Sequence, residues 1–161
     1  MLEKILVPLD GSQVGETALP MVEDLVQKLL PATKVKVILL QVITQLTHYV
    51  IAGEVSTTVP YTEKEVAQIK KKAQDYLDET ANRLKKKGID VETMVTTATN
   101  AAEEILRVAE ETKAGLIAMS THGRHGLSRW AFGSVTDKVL RESQVPMLVV
   151  RVPKELRSAQ S

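Results

Sequence analysis

The chain has 161 residues, of which 43% are hydrophobic and 25% charged, and it contains no cysteine. This length suffices for one buried core and is short for two, so we expect a single domain over residues 1–152. The lack of cysteine excludes disulfides and thiol catalysis, and a net charge of +1 provides no global field for nucleic acid or an acidic membrane. Because the apolar runs are too short to span a bilayer and no signal peptide precedes the first strand, we expect a cytoplasmic protein.

The first third of the chain reads as strand, helix and strand. Residues 4–9 form a short apolar run that Asp10, Gly11 and Ser12 close as a turn. A helix follows and ends at Pro31, because apolar residues recur at three- and four-residue steps. These positions are Ala18, Met21, Val22, Leu25, Val26 and Leu29. Residues 35–42 are almost continuously apolar, which is typical of an interior strand covered on both faces.

The middle of the chain begins with a long segment without periodicity. Residues 43–61 contain Gly53 and Pro60 and predict an irregular loop, either mobile or acting as a lid. A long helix is predicted over residues 63–87, with Gly88 at its C-terminal position. Residues 89–97 then form a third strand.

The last third completes the alternation of strands and helices. Asn100 is suited to cap a helix, with Glu103 completing a box-like start. A fourth strand over residues 116–119, a helix at about 131–143 and a fifth strand over 147–150 follow. The tail from residue 153, rich in charge and serine, is expected to be disordered.

This alternation predicts an α/β fold with an open, five-stranded parallel sheet and helices on both faces. In the expected strand order 3-2-1-4-5, the first and fourth strands are neighbours at the point where the order reverses. Ligands of such sheets bind beyond the carboxyl ends of the strands at this point. The turn at residues 10–12 and the loop at 120–126 should therefore meet over one crevice.

The loop after the fourth strand has two interpretations. Gly123 and Gly126 permit a close approach of backbone to a ligand, and Gly133 and Ser134 open the next helix. Free N–H groups and the positive helix end there would suit phosphate. Alternatively, the glycines only turn the chain. The spacing alone leaves both interpretations open.

Three stretches together resemble the universal stress protein family: residues 5–12 (ILVPLDGS), 119–135 (MSTHGRHGLSRWAFGSV) and 146–150 (PMLVV). The resemblance covers essentially the whole chain and implies a Rossmann-like fold of the adenine nucleotide alpha hydrolase type. Members that bind ATP carry a glycine, two residues, a second glycine, nine residues, and then glycine with Ser or Thr. In this chain Gly123 is the second glycine and Gly133 with Ser134 ends the motif, while Ser120 stands at the first glycine position.

The resemblance also implies a ligand, residue roles and an assembly. The ligand is ATP with Mg²⁺, and the site residues are Pro8 and Val42 beside the adenine, Asp10 at the ribose, Met119 and Ser120 against the nucleoside, and Gly123, Gly133, Ser134 and Val135 at the phosphates. Serine at position 120 keeps its N–H group but is strained by roughly 1 kcal/mol if its φ is positive, so we expect weakened rather than abolished binding. Homodimers would form through the apolar edge strand at residues 147–152.

We therefore expect an ATP-binding regulator or sensor of the stress response that acts on an unknown protein partner. The alternatives are a slow ATP hydrolase and a nucleotide-free dimeric interaction module. Catalysis is poorly supported, because no phosphate loop of the Gly-x-x-x-x-Gly-Lys-Ser/Thr type is present and His122 and His125 adjoin no nucleophile motif. The lysine runs at 70–72 and 85–87 share a helix with many acidic residues, which favours a solvated surface over nucleic-acid binding.

Overall fold

The computed structural model of the protein describes residues 2–29, 33–52, 55–121, 132–153 and 155–156. Seven strands and four α-helices are found in this part, with a short 3₁₀ helix at Gly15–Ala18. They follow one another as β1 (Lys4–Pro8), α1 (Leu19–Leu29), β2 (Lys36–Ile43), β3 (Thr47–Ala52), β4 (Val55–Pro60), α2 (Glu63–Lys85), β5 (Asp90–Thr97), α3 (Ala101–Thr112), β6 (Leu116–Ser120), α4 (Ser134–Glu142) and β7 (Met147–Val150).

The main sheet has the order β5-β2-β1-β6-β7, and every neighbouring pair is parallel. This confirms the predicted order 3-2-1-4-5, since β5, β6 and β7 are the third, fourth and fifth strands of the alternating units. In the register, Pro8 at the end of β1 lies opposite Leu40 of β2. The carboxyl ends of β1, β2 and β6 thus reach the same edge of the sheet.

Each face of the sheet carries its own apolar cluster, because successive side chains of a strand point to opposite faces. On one face Val37 and Leu39 pack with residues of α1 and α2. On the other, Ile38 and Leu40 pack with residues of α3 and α4. All four side chains are at most 1% exposed, and each contributes about 1.5–3 kcal/mol by burial. The almost continuous apolar character of β2 follows from this double coverage.

Helices α2 and α3 have side-chain caps at their N-termini. The Thr62 hydroxyl accepts from the Glu65 N–H at 3.3 Å, and the Glu65 carboxylate accepts from the Thr62 N–H at 2.7 Å, which forms a capping box. The Asn100 side chain accepts from the N–H of Glu103 at 3.2 Å, as expected of a cap. Glu103 does not complete a box: its carboxylate accepts from Lys138 of α4 at 2.7 Å. Helix α3 is thereby tied to α4 as well as capped.

The segment predicted as an irregular loop is instead a β-hairpin, in which β3 and β4 pair antiparallel with Tyr49 opposite Thr58. Prediction failed because the hairpin lies against no core. Tyr49 and Ile51 are 80% and 77% exposed, and Val50 on the opposite face is also exposed. With neither face buried, no alternation of polar and apolar residues is required.

Smaller departures concern single positions and ends. Met21 was expected to face the core with its helix, yet it is 47% exposed. Helix α4 begins at Ser134, within the predicted range 131–143. Of the tail, residues 154 and 157–161 lie outside the described residues. No helix in the described ranges is long and apolar enough to cross a membrane.

Candidate functional site

A cavity of about 500 Å³ opens at the carboxyl edge of the main sheet, where β1 lies between β2 and β6. This is the point where the strand order reverses and where ligands of such sheets bind. Its size is within the usual range of small-molecule sites. The lining residues come from the ends of β1, β2 and β6 and from the starts of α2 and α4.

The cavity brings together the predicted site residues that the structure describes: Pro8, Asp10, Val42, Met119, Ser120, Gly133, Ser134 and Val135. They converge because each follows or ends a parallel strand, or starts the helix after one. Gly123 lies in residues 122–131, outside the described residues, as do His122 and His125. That these residues bind a ligand stays a prediction.

The Asp10 carboxylate is held at the cavity wall by its own turn. Its Oδ1 atom accepts from the Ser12 N–H at 3.0 Å and from the Ser12 hydroxyl at 2.6 Å. The Ser12 hydroxyl oxygen in turn accepts from the Gly15 N–H at 3.0 Å. Gly11, with φ of 80°, supplies the left-handed turn. Asp10 therefore presents a carboxylate of fixed orientation to the cavity.

The N-terminus of α4 forms the wall on the β6 side. Gly133 is the N-cap residue and provides no side-chain cap, so the first N–H groups of the helix are not covered by its cap residue. The buried Thr136 hydroxyl donates to the Ser120 carbonyl at 3.0 Å, and the Gly133 N–H donates to the Thr121 carbonyl at 2.7 Å. The positive end of α4 is thus anchored to the end of β6 and faces a site suited to an anion.

The β2 side of the cavity has an apolar wall. Ile43 of β2 and Ile69 of α2 line it, together with Tyr61, which comes directly before the cap residue of α2. Val42 lines the cavity from the other face of the sheet, where it packs with the cluster of α3 and α4. The Tyr61 N–H donates to the Leu46 carbonyl at 2.9 Å, and its ring lies 4.9 Å from the His48 ring at a tilt of 34°. The sequence reasoning did not single out Tyr61, although an aromatic residue directly before a capping box is a recognisable pattern.

Gln41 is a second lining residue that sequence reasoning missed. In the described part of the chain its buried Oε1 atom accepts no hydrogen bond. A buried acceptor without a donor costs about 1–3 kcal/mol.

Ser120 has no backbone strain at the position where the family motif has glycine. Among the described residues, one non-glycine residue has a positive φ, and it is Lys113 at the end of α3. Ser120, which is 6% exposed, therefore has a negative φ. The condition under which serine would weaken the site through strain is not met.

A network of charged and polar side chains lies behind the Asp10 turn. Glu16 accepts from the Tyr76 hydroxyl at 2.9 Å and from Arg83 at 2.9 Å. Burial and then the hydrogen bond to Glu16 raise the pKa of Tyr76 well above its ordinary value. Tyr76 therefore remains a neutral donor, and Arg83 offsets the charge of Glu16.

Nothing in the described ranges offers a ready metal site, since no group of three or more His, Cys, Asp or Glu side chains is close enough to hold an ion. Asp10 is the one formally charged side chain among the lining residues of that part. A cation at this site would need further ligands from elsewhere.

Solved structures with the same fold include proteins with bound nucleotides. A universal stress protein in complex with cAMP is 20% identical, with a TM-score of 0.64 over 93% of this chain and 97% of that chain. An Arabidopsis thaliana universal stress protein family member with AMP bound is 14% identical, with a TM-score of 0.64 over 96% and 94%. At these identities the likeness shows the fold.

Curated relatives align along almost the full chain. Universal stress protein MJ0577 of Methanocaldococcus jannaschii is 29% identical over 160 residues, covering 94% of this chain and 96% of that protein. Universal stress protein YxiE of Bacillus subtilis is 29% identical over 153 residues, covering 94% and 100%. A shorter alignment with MJ0531 of M. jannaschii is 46% identical over 54 residues, which are 34% of this chain and 32% of that protein.

The structure of MJ0577 also superposes, with a TM-score of 0.68 over 96% of this chain and 99% of that chain. Residues 1–151 match the profile of the Universal stress protein family. With a match that spans nearly every residue, and with the strand order and the switch-point cavity described above, the chain belongs to the universal stress protein family.

Proposed function

We propose that the protein binds ATP at the switch-point cavity and acts as a regulator or sensor in the stress response. The observation that carries this proposal is the meeting of three groups in one cavity. These are the fixed Asp10 carboxylate, the apolar lining residues that include Val42, and the N-terminus of α4. A nucleotide needs these three environments for its ribose, its base and its phosphates.

Each part of the nucleotide has residues to hold it. Asp10 would accept hydrogen bonds from the ribose hydroxyls, and Pro8, Val42 and Met119 would contact the adenine. Backbone N–H groups at Gly133, Ser134 and Val135, with the Ser134 hydroxyl, would hold phosphate oxygens. Ser120 would lie against the nucleoside and Gly123 would approach the phosphates, as the family motif implies. Mg²⁺ would be bound chiefly by the phosphates of ATP.

Nucleotide-bound proteins of the same fold support adenine nucleotides as the first ligands to test. The solved structures with cAMP and with AMP belong to proteins of 20% and 14% identity, so the transfer to this chain is our proposal. The apolar side chains that line the cavity are compatible with a nucleobase.

A regulator is favoured over an efficient hydrolase by the lining of the cavity. Within the described residues that line it, Asp10 is the one carboxylate, and Ser12 already donates two hydrogen bonds to its Oδ1 atom. In the proposed complex this carboxylate also accepts hydrogen bonds from the ribose hydroxyls, so it would not be placed beside the phosphates to activate water. We therefore expect bound ATP to stay intact.

Three measurements test this function. Mass spectrometry of ligand released from protein purified without added nucleotide should find an adenine nucleotide, and calorimetry on stripped protein should show saturable binding of Mg-ATP. Counting of ADP over hours should show at most very slow turnover. A blank titration at millimolar Mg-ATP would contradict the proposal and favour a nucleotide-free interaction module.

The assembly proposed with this function is a homodimer in the cytoplasm that an unknown protein partner recognises. Strand β7 is at the edge of the main sheet, and β6 is its one neighbour in the described part. Its four residues, Met147–Val150, are apolar and only partly buried. Because an apolar edge strand attracts another strand, the β7 strands of two copies would pair.

A further inference from the structure

Tyr61 is the one aromatic residue among the described residues that line the cavity. Three features hold it there. Its N–H donates to the Leu46 carbonyl at 2.9 Å, its ring lies 4.9 Å from the ring of His48, and the next residue, Thr62, caps α2. The backbone at Tyr61 is therefore fixed on both sides, and its ring has a packed neighbour.

Tyr61 and the start of α4 are on opposite sides of the cavity. β2 and β6 flank β1 on its two sides, and Tyr61 belongs to the β2 and α2 side, whereas Ser134 belongs to the β6 side. The helix end suited to an anion and the segment that carries the aromatic ring thus belong to elements on the two sides of β1. A ligand that reaches both walls must be elongated, with a charged end and a flat, apolar end.

The surroundings of Tyr61 suit a flat apolar group. Ile43 of β2 and Ile69 of α2 also line the cavity on this side, and neither carries a polar side chain. An aromatic ring beside aliphatic side chains provides a face on which a nucleobase can stack, and such stacking depends on the π face of the base.

Resting on the proposed function, we propose that Tyr61 stacks on the nucleobase and makes the cavity selective for ligands that carry a base. A phosphate chain alone would still reach the N-terminus of α4 but would gain nothing from Tyr61. The residue therefore determines whether the protein responds to nucleotides or to polyphosphates in general.

The test compares two ligands on three variants by calorimetry. Mg-ATP carries a base, and inorganic tripolyphosphate with Mg²⁺ carries a similar charge without one. Tyr61→Leu removes the ring, Tyr61→Phe keeps it, and Tyr49→Leu removes a tyrosine from the exposed hairpin as a matched control. We expect Tyr61→Leu to weaken ATP binding about ten- to a hundredfold, the scale of base stacking, and to leave tripolyphosphate binding unchanged. Tyr61→Phe and Tyr49→Leu should bind ATP like the wild type.

Two results would overturn the stacking role while leaving the proposed function intact. One is a Tyr61→Leu variant that binds ATP as tightly as the wild type. The other is an equal loss of ATP and tripolyphosphate, which would indicate a general effect on the cavity. A wild-type protein that binds no ATP would overturn the proposed function and the role of Tyr61 with it.

Discussion

A Cβ atom added to Gly15 would lie 2.5 Å from the Oδ1 atom of Asp10. Side chains do not approach so closely, so the orientation of the carboxylate depends on the absence of a side chain at position 15. The same oxygen is bonded by the N–H and the hydroxyl of Ser12. The position of the Asp10 carboxylate in the cavity therefore depends on the hydrogen bonds from Ser12 and on the lack of a side chain at Gly15.

Replacing Gly15 by alanine should displace the Asp10 carboxylate and weaken ATP binding about tenfold, the scale of a lost hydrogen bond to a charged group. The fold should persist, because the nearest atom belongs to a side chain that can rotate and Gly15 starts a 3₁₀ turn. Calorimetry with Mg-ATP measures the affinity.

The matched control for this substitution is Gly115→Ala at the opposite edge of the sheet. There an added Cβ meets the flexible Leu2 side chain at 3.2 Å, and the Gly115 N–H bonds to Lys4. Its affinity for ATP should equal that of the wild type. A Gly15→Ala variant that binds ATP as tightly as the wild type would contradict the dependence of binding on the orientation of Asp10.

Ser134→Ala should weaken ATP binding by about 1.5–3 kcal/mol, which is roughly ten- to a hundredfold. Ser134 is the first residue of α4, so its hydroxyl and the first N–H groups of the helix could donate hydrogen bonds to the same phosphate. Ser143→Ala, at the other end of the same helix, serves as the control and should leave the affinity unchanged. An unaltered Ser134→Ala affinity would place the phosphates elsewhere.

Restoring the motif glycine by Ser120→Gly should leave ATP affinity within about twofold, because Ser120 has no positive φ to relieve. The free energy of unfolding should fall by about 0.5–1 kcal/mol, since glycine loses more backbone freedom on folding in a strand. Calorimetry and urea denaturation check the two effects. A gain in affinity of tenfold or more would mean that the serine side chain obstructs the ligand.

Val149→Lys should abolish dimerisation by placing a charge on the partly buried edge strand β7. Sedimentation velocity should show a dimer for the wild type and a monomer for the variant. The control Tyr49→Lys places the same charge on the exposed hairpin and should remain dimeric. A wild-type protein that sediments as a monomer when dilute would refute the proposed assembly.

The pair of Glu104 and Arg107 should make part of the stability of α3 depend on pH. Arg107 donates to both Glu104 oxygens, at 2.8 Å and 2.6 Å, and these bonds hold the pKa of Glu104 below its ordinary value. A depressed pKa means that the stabilisation is complete above the ordinary pKa and is lost as the pH falls through the depressed one.

Glu104→Gln should therefore lower the free energy of unfolding by about 1 kcal/mol near neutral pH, and the difference from the wild type should vanish in acid. Urea denaturation at several pH values measures this. Glu110→Gln, at an exposed position of the same helix, is the control. If the free energy of unfolding of Glu104→Gln differed from that of the wild type by the same amount at every pH, the ion pair would be ruled out as the cause.

The main sheet could be predicted from the sequence because its strands are buried on both faces. Residues such as Leu39 and Ile38 must both be apolar when each packs on a different helix layer. The hairpin could not be predicted for the opposite reason: Tyr49 and Ile51 are exposed, so nothing in the pattern marks a buried face.

The position of the cavity in the sheet could be predicted from the sequence, but only some of its contacts could. Asp10 and Ser134 follow from the rule that ligands gather at the carboxyl ends of neighbouring strands, and the family resemblance assigns their roles. The closeness of Gly15 to Asp10 depends on the three-dimensional path of the turn between them. Gln41 is a polar residue within an apolar strand, and the sequence does not indicate that its side-chain oxygen is buried. Such contacts arise from tertiary packing and leave no local pattern.

The bond from the Thr136 hydroxyl to the Ser120 carbonyl pins the first turn of α4 to the sheet. This bond opposes sliding of the helix along its axis when a nucleotide binds, and helix sliding is one common route for transmitting occupancy to a distant surface. Under the proposed function, a conformational change caused by ligand binding would instead reach a partner through the β2 side. There the hairpin β3–β4 follows residues that line the cavity, and its side chains are exposed. Under the proposed function, a partner would then recognise the hairpin rather than the helix end at which the phosphates would bind.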